Sequence, residues 1–163
     1  MPRKRPVPVS PRGEARGLAD TAAALRAGWP TPWTTTRPAP LVLLVDDLAD
    51  QRTMYQEYLE YAGFGVAVAA SAPEGIAKAI EIQPDLIVMD LSMPGIDGFE
   101  ATKVLKAVSL TRHIPVVAFT AHSPHLPKEW AVAAGADDYL LKPLLPHDLA
   151  DHIVALLKTR LGS

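Results

Sequence analysis

The sequence predicts an α/β domain built on a doubly wound, open parallel sheet of five strands with five helices. Three observations predict it. Strand-like and helix-like stretches alternate five times from Leu41 to the C-terminus. The runs LVLLV, LIVM and VVAF are short, fully apolar and rich in branched residues, as strands covered on both faces require. Right-handed crossovers and a chain of 163 residues favour an open sheet over a barrel, which needs eight strand–helix units.

The elements follow in order. LVLLV (41–45) is the first buried strand and ends in Asp46-Asp47. Asp50 is placed to cap the next helix, on which Met54, Tyr55, Tyr58, Leu59 and Ala62 share a face before Gly63 stops it. FGVAV (64–68) alternates, which suits an outer strand. Ser71-Ala72-Pro73-Glu74 is a capping-box pattern, and Ile76, Ala79 and Ile80 give that helix an inner stripe. LIVM (86–89) ends at Asp90. Asp97 and Glu100 open the third helix, with Ala101, Val104, Leu105 and Val108 inward. VVAF (116–119) ends at Thr120, and Lys128 to Ala134 forms a helix that closes at Gly135. YLL (139–141) ends at Lys142-Pro143, and a last helix from Pro146 to about Arg160 buries Leu149, Ile153, Leu156 and Leu157.

Composition divides the chain near Pro38–Pro40. Residues 1–40 carry seven Lys/Arg against Glu14 and Asp20 and hold half of the 16 prolines, whereas the rest is net acidic. The opening MPRKRPVPVSPRGEARG has no apolar periodicity, so residues 1–40 are expected to be a disordered Pro/Arg-rich tail and 41–160 the folded domain. Trp29 and Trp33 are the only large apolar groups of that tail, either exposed, folded back on the domain or in contact with a partner. With no cysteine, disulfides, thiol nucleophiles and Cys-based zinc sites are excluded. The longest apolar runs are too short to span a bilayer, and the tail lacks the apolar core of a secretory signal, so a cytoplasmic protein is expected.

The polar residues at the strand ends carry the functional signal. Asp46 and Asp47, Asp90, Thr120 and Lys142 each come directly after a buried apolar strand. In a parallel sheet those ends share one edge, where open α/β folds bind their ligands. Any one of these residues alone reads as a turn residue, a cap or a loop lysine; their coincidence does not. Three crowded carboxylates repel unless a cation neutralises them, and a hard divalent ion, Mg²⁺ or Mn²⁺, suits an all-oxygen set. Lys142 adds a second positive charge beside Asp90. A carboxylate so flanked is suited to accept a phosphoryl group, whose oxygens are held by the metal, Lys142 and the Thr120 hydroxyl. The product is an aspartyl phosphate.

LVDD (44–47), VMDLSMPGIDG (88–98), VVAFTA (116–121) and GADDYLLKP (135–143) resemble the four signature stretches of the receiver domain of two-component response regulators, over about residues 41–160. The resemblance implies a flavodoxin-like sheet in the order 2-1-3-4-5. It also implies Asp90 as phosphoacceptor and metal ligand, Asp47 as direct metal ligand and Asp46 as acting mostly through water. The Ser92 backbone carbonyl completes the metal shell, and Thr120 and Lys142 bind the phosphoryl oxygens. A cis bond at Lys142–Pro143 aims the lysine inward. Pro94, Gly95 and Gly98 shape the loop and turn after Asp90.

Tyr139 falls at the family's switch-aromatic position, so the resemblance implies that Thr120 and Tyr139 move together and remodel the face of the fourth helix, fifth strand and fifth helix. Its alternative role is core packing. The resemblance also places Ser92 and His122 at the two variable positions that tune the phosphoryl lifetime in this family; His122 either confers a pH dependence or is simply solvent-facing. His113, His125, His147 and His152 form no metal-ligand grouping, and Trp130 is expected to pack against its own sheet, with a partner hot spot as the alternative.

The implied function is a stand-alone phospho-accepting receiver. It takes its phosphoryl group from a sensor histidine kinase or histidine phosphotransfer protein and acts on an unknown downstream protein or relays the group onward. Such a receiver supports phosphorylation and dephosphorylation of its own Asp90 and is not a turnover enzyme. Direct nucleic-acid and membrane contacts are not expected, and the assembly is a monomer or a weak dimer through the switch face. An aspartyl-nucleophile phosphohydrolase places a general-acid carboxylate where this chain has Ser92. A flavin phosphate would be repelled by the three acids, and an inactive receiver would lack a key position, which this chain does not.

Overall fold

The computed structural model describes residues 39–93, 98–121 and 128–161. The expected tail with Trp29 and Trp33, and Pro94, Gly95, Asp97, His122 and His125, lie outside the described residues. Among the described residues ten elements alternate: β1 (Leu41–Val45), α1 (Ala49–Tyr61), β2 (Gly65–Ala69), α2 (Ala72–Ile82), β3 (Leu86–Met89), α3 (Gly98–Ala107), β4 (Val116–Ala121), α4 (Lys128–Ala134), β5 (Asp138–Lys142) and α5 (Pro146–Leu161). All strand pairs are parallel, as the sequence pattern predicts, and the order is β2-β1-β3-β4-β5, as the family resemblance implies. β2, with its alternating pattern, is indeed an edge strand.

Period-two alternation divides the strand residues between two cores. Leu43, Val45, Ile87, Met89, Val116 and Ala118 pack on one face beneath α2, α3 and α4. Val42, Leu44, Leu86, Val88, Val117 and Phe119 pack on the other beneath α1 and α5, where Tyr55, Leu59, Leu149, Ile153 and Leu157 complete the layer. Apolar continuity of the central strands follows directly, since both faces are covered.

Local details depart from expectation. Leu48, not Asp50, is the N-cap of α1, and it makes no side-chain cap; Asp50 sits in the first turn. The Leu48 N–H instead donates to Asp46 Oδ1 at 2.9 Å. At α2 the Ser71 hydroxyl accepts from the Glu74 N–H as predicted. Glu74 reaches back to the Ala70 N–H, one residue before the cap, and this bond, with Lys78 beside it, holds its carboxyl below the usual carboxylate range. Three residues assigned to inner stripes, Met54, Ile80 and Val104, are exposed, and Leu156 is half-buried. On α2 the inner places go to Ala72, Gly75 and Ala79, because the helix lies close to β1: a Cβ on Gly75 would meet Val45 Cγ2 at 2.8 Å. Trp130 does not pack on its sheet. It is 56% exposed, with its ring edge-on to Phe99 of α3 at 5.9 Å.

Candidate functional site

The C-terminal ends of β1, β3, β4 and β5 meet at one edge, as the parallel order requires. Asp46 and Asp47 follow β1 and Asp90 follows β3, while Thr120 lies in β4 and Lys142 ends β5. Asp46, Asp90 and Thr120 are buried, whereas Asp47 is half-exposed at the rim. One carboxylate oxygen from each of Asp46, Asp47 and Asp90 lies within 4.8 Å of the others. Three hard, anionic oxygens at that separation fit a divalent cation of the Mg²⁺ kind.

Lys142 spans the cluster. Its ammonium donates to Asp46 Oδ2 at 2.6 Å and to Gln51 Oε1 at 2.8 Å, with Asp90 Oδ2 at 3.5 Å. Its side chain is 9% exposed, so these charges interact where water screens weakly. The Phe119 ring centroid lies 5.2 Å from the ammonium, a cation–π distance, and Tyr55 meets Phe119 edge-on at 5.1 Å. The Tyr55 hydroxyl donates to the Leu144 carbonyl at 2.7 Å, anchoring the segment just after the cis Lys142–Pro143 bond. Burial pushes the Tyr55 phenol above its ordinary pKa, opposed by that hydrogen bond.

Asp90 is oriented from its own loop. Ser92 donates to Asp90 Oδ1 from its backbone N–H at 2.9 Å and from its hydroxyl at 3.1 Å. The Ser92 hydroxyl also lies 3.2 Å from Thr120 Oγ1, so serine links acceptor candidate and threonine. The carboxylate faces an open cleft of about 360 Å³ lined by Gln51, Tyr55, Ser92, Lys142 and Pro143 among others. Tyr139 lies on the edge strand β5, paired with Ala118, and packs half-buried against the core on the α2–α4 face.

The structure thus brings together Asp46, Asp47, Asp90, Ser92, Thr120 and Lys142, and sets Tyr139 on the neighbouring edge strand. Gln51, Tyr55 and the hydroxyl role of Ser92 were not read as site features from sequence. A signal existed for two of them: Gln51 and Tyr55 are four apart on the helix that follows the acidic pair, hence on one face.

The fold and this site together define a class, a five-stranded parallel α/β domain with an acidic cluster and a lysine at the carboxyl edge of the sheet. Residues 42–154 match the family model described as the response regulator receiver domain, and the chain belongs to that family. The transcriptional regulatory protein PrrA of Mycobacterium bovis is 37% identical over 122 residues, covering 75% of this chain and 52% of PrrA. The phosphate regulon transcriptional regulatory protein PhoB of Pseudomonas aeruginosa is 36% identical over 117 residues, covering 72% of this chain and 51% of PhoB. The chain therefore spans about half the length of these curated relatives. Among solved structures, the chemotaxis protein CheY4 of Vibrio cholerae superposes with a TM-score of 0.66 at 35% identity, covering 70% of this chain and 95% of CheY4. A response regulator from Chloroflexus aurantiacus gives 0.68 at 33% identity, covering 73% and 98%. Among the described residues no helix is long and apolar enough to cross a membrane.

Proposed function

We propose that Asp90 is the phosphoacceptor of this receiver domain and that it takes its phosphoryl group from a phosphohistidine on a sensor histidine kinase or histidine phosphotransfer protein. A carboxylate oxygen of Asp90 forms the new O–P bond as the N–P bond breaks, and the histidine ring of the donor keeps the electron pair. The observation that carries this reading is the convergence of Asp46, Asp47 and Asp90 within 4.8 Å, with Lys142 lying against two of them.

Each neighbour then has a role. Ser92 holds Asp90 Oδ1 through two donors, which leaves Oδ2, on the Lys142 side, as the oxygen free to attack. The Lys142 ammonium and the Thr120 hydroxyl are placed to receive the equatorial phosphoryl oxygens as they gain charge. Asp46, Asp47, Asp90 and the Ser92 carbonyl would hold Mg²⁺, or Mn²⁺ in its place, which when bound neutralises the acidic cluster and the incoming phosphoryl charge. Thr120 and Tyr139 couple the modified site to the α4–β5–α5 surface, biasing a two-state equilibrium by the difference in phosphoryl contacts between the states. The resulting surface change acts on a partner protein, or the phosphoryl group is relayed onward.

Incubation with Mg²⁺ and acetyl phosphate tests this directly. Wild type gains one base-labile phosphoryl group by intact mass and Asp90→Ala gains none; equal labelling of both would sink the assignment. Mixing the phosphorylated protein with candidate phosphotransfer proteins then separates relay, in which the label moves, from an adaptor role, in which it stays.

A further inference from the structure

A second cavity, of about 380 Å³, opens at the opposite edge of the sheet from Asp90. Pro84, Ile114, Pro115 and Leu157 wall it, with Asp85 and Arg160 among its polar lining. Its size lies in the ~300–1,000 Å³ range that accommodates a small organic group, and two proline rings beside aliphatic side chains offer flat apolar surfaces to an aromatic one. The phospho-signalling site makes no use of it, since β3 separates Asp85 at one end from Asp90 at the other.

The chain itself enters the domain at this rim. The Leu41 N–H donates to Asp85 Oδ2 at 2.7 Å, and the Asp85 N–H donates to the Leu41 carbonyl at 2.8 Å. The start of β1 therefore lies at the lip of the cavity. Within residues 1–38 the sequence Trp29-Pro30-Thr31-Pro32-Trp33 holds the segment's two tryptophans. Trp33 stands eight positions before Leu41, a reach of up to roughly 26–29 Å. So short a tether makes the effective concentration of the indole on the order of millimolar. The alternating prolines favour an extended conformation, which lowers the entropy lost on docking. Charge acts in the same direction: residues 1–40 are basic, and the domain that follows is net acidic.

We propose that this cavity is the docking site for the chain's own Trp29–Trp33 segment, with a tryptophan indole seated between Pro84 and Pro115. Docking there leaves the Asp90 cleft open, so the segment rides on the domain through phosphoryl transfer instead of blocking it.

The test uses the full chain, which has no native cysteine. A nitroxide on Thr31→Cys is read through the backbone amide signals of ¹⁵N-labelled protein. The tether alone brings the label near the rim, so the comparison with Trp29→Ser/Trp33→Ser in the same background carries the result. The proposal expects loss of the Asp85, His113, Ile114 and Leu157 signals, independent of dilution, and their return in the double variant. Broadening that the double variant leaves unchanged, or that is centred on another surface, overturns it. Broadening passed from unlabelled nitroxide-bearing protein to ¹⁵N protein in a mixture also overturns it, in favour of a second copy as the occupant. None of these readouts involves phosphorylation, so the outcome is independent of the role assigned to Asp90.

Discussion

Gly98, the first residue of α3, stands directly against the backbone carbonyl of Asp90: a Cβ on Gly98 would lie 2.1 Å from that oxygen and 2.7 Å from Leu91 Cα. Both neighbours are backbone atoms, which cannot swing aside as a side-chain tip would. The glycine therefore sets how closely α3 approaches the end of β3, and with it the position of the Asp90 loop.

Gly98→Ala is thus expected to push α3 and the Asp90 loop apart, at a cost of about 1–3 kcal/mol, the range for overpacking a filled site. Urea unfolding measures that loss. Labelling by acetyl phosphate should fall by more than stability alone accounts for, because the displaced carboxylate leaves its Ser92 donors.

Among the described residues, Lys142 is the one cation in contact with both buried aspartates of the site, at 2.6 Å from Asp46 and 3.5 Å from Asp90. Lys142→Met should destabilise the fold by roughly 3–5 kcal/mol, since it strands buried carboxylates without compensation. Added Mg²⁺ should recover part of that loss if the acidic cluster holds the ion. Chemical denaturation with and without Mg²⁺ gives both numbers. Gln51→Leu removes one acceptor from Lys142 but leaves Asp46 in place, so its cost should be smaller, about 1–2 kcal/mol.

The Tyr55 phenol, raised above its ordinary pKa by burial, adds a pH signature. Its folded-state value exceeds the unfolded one, so the associated stability is complete below the unfolded pKa near ~10 and is lost as pH rises through the higher folded value. Tyr55→Phe should remove that alkaline limb. It should also cost about 1 kcal/mol at neutral pH for the lost Leu144 hydrogen bond. Unfolding curves collected from neutral to alkaline pH distinguish the two effects.

Asp137 supplies a structural control remote from the site. It accepts from Lys106 at 2.8 Å and from the Val116 N–H at 2.8 Å, and it pairs with Arg160. Asp137→Ala should lower stability by about 1–3 kcal/mol while leaving phosphoryl labelling at the wild-type level once both proteins are folded. A parallel loss of labelling would tie this end of the sheet to the chemistry.

Much of this arrangement was legible in the sequence because the signals were strong and local. The buried strands are unbroken branched runs, and the residues at their ends, Asp46, Asp90, Thr120 and Lys142, are polar where the surrounding pattern is not. The parallel sheet then follows from alternation, and its strand order from the family resemblance. What escaped the sequence was set by tertiary approach. Ile80 fits a helical stripe by spacing, yet Gly75 joins Ala79 on the inner side of α2 because that helix lies against Val45. Asp50 has a capping side chain, but the helix begins before it, with the Arg52 N–H already bonded to the Leu48 carbonyl. Gln51 and the Ser92 hydroxyl acquire their roles only when β5 and β4 bring Lys142 and Thr120 alongside. Trp130 lies on a short helix whose inner places Ala131 and Ala134 already fill.

Asp90 itself is proposed to carry the phosphoryl group. Borohydride reduction of protein labelled with acetyl phosphate and Mg²⁺ converts an aspartyl phosphate to homoserine, which peptide mass spectrometry locates. Homoserine at position 90, and at no other aspartate, is the predicted result; homoserine at Asp46 or Asp47, or none anywhere in a protein that gained label, would contradict it.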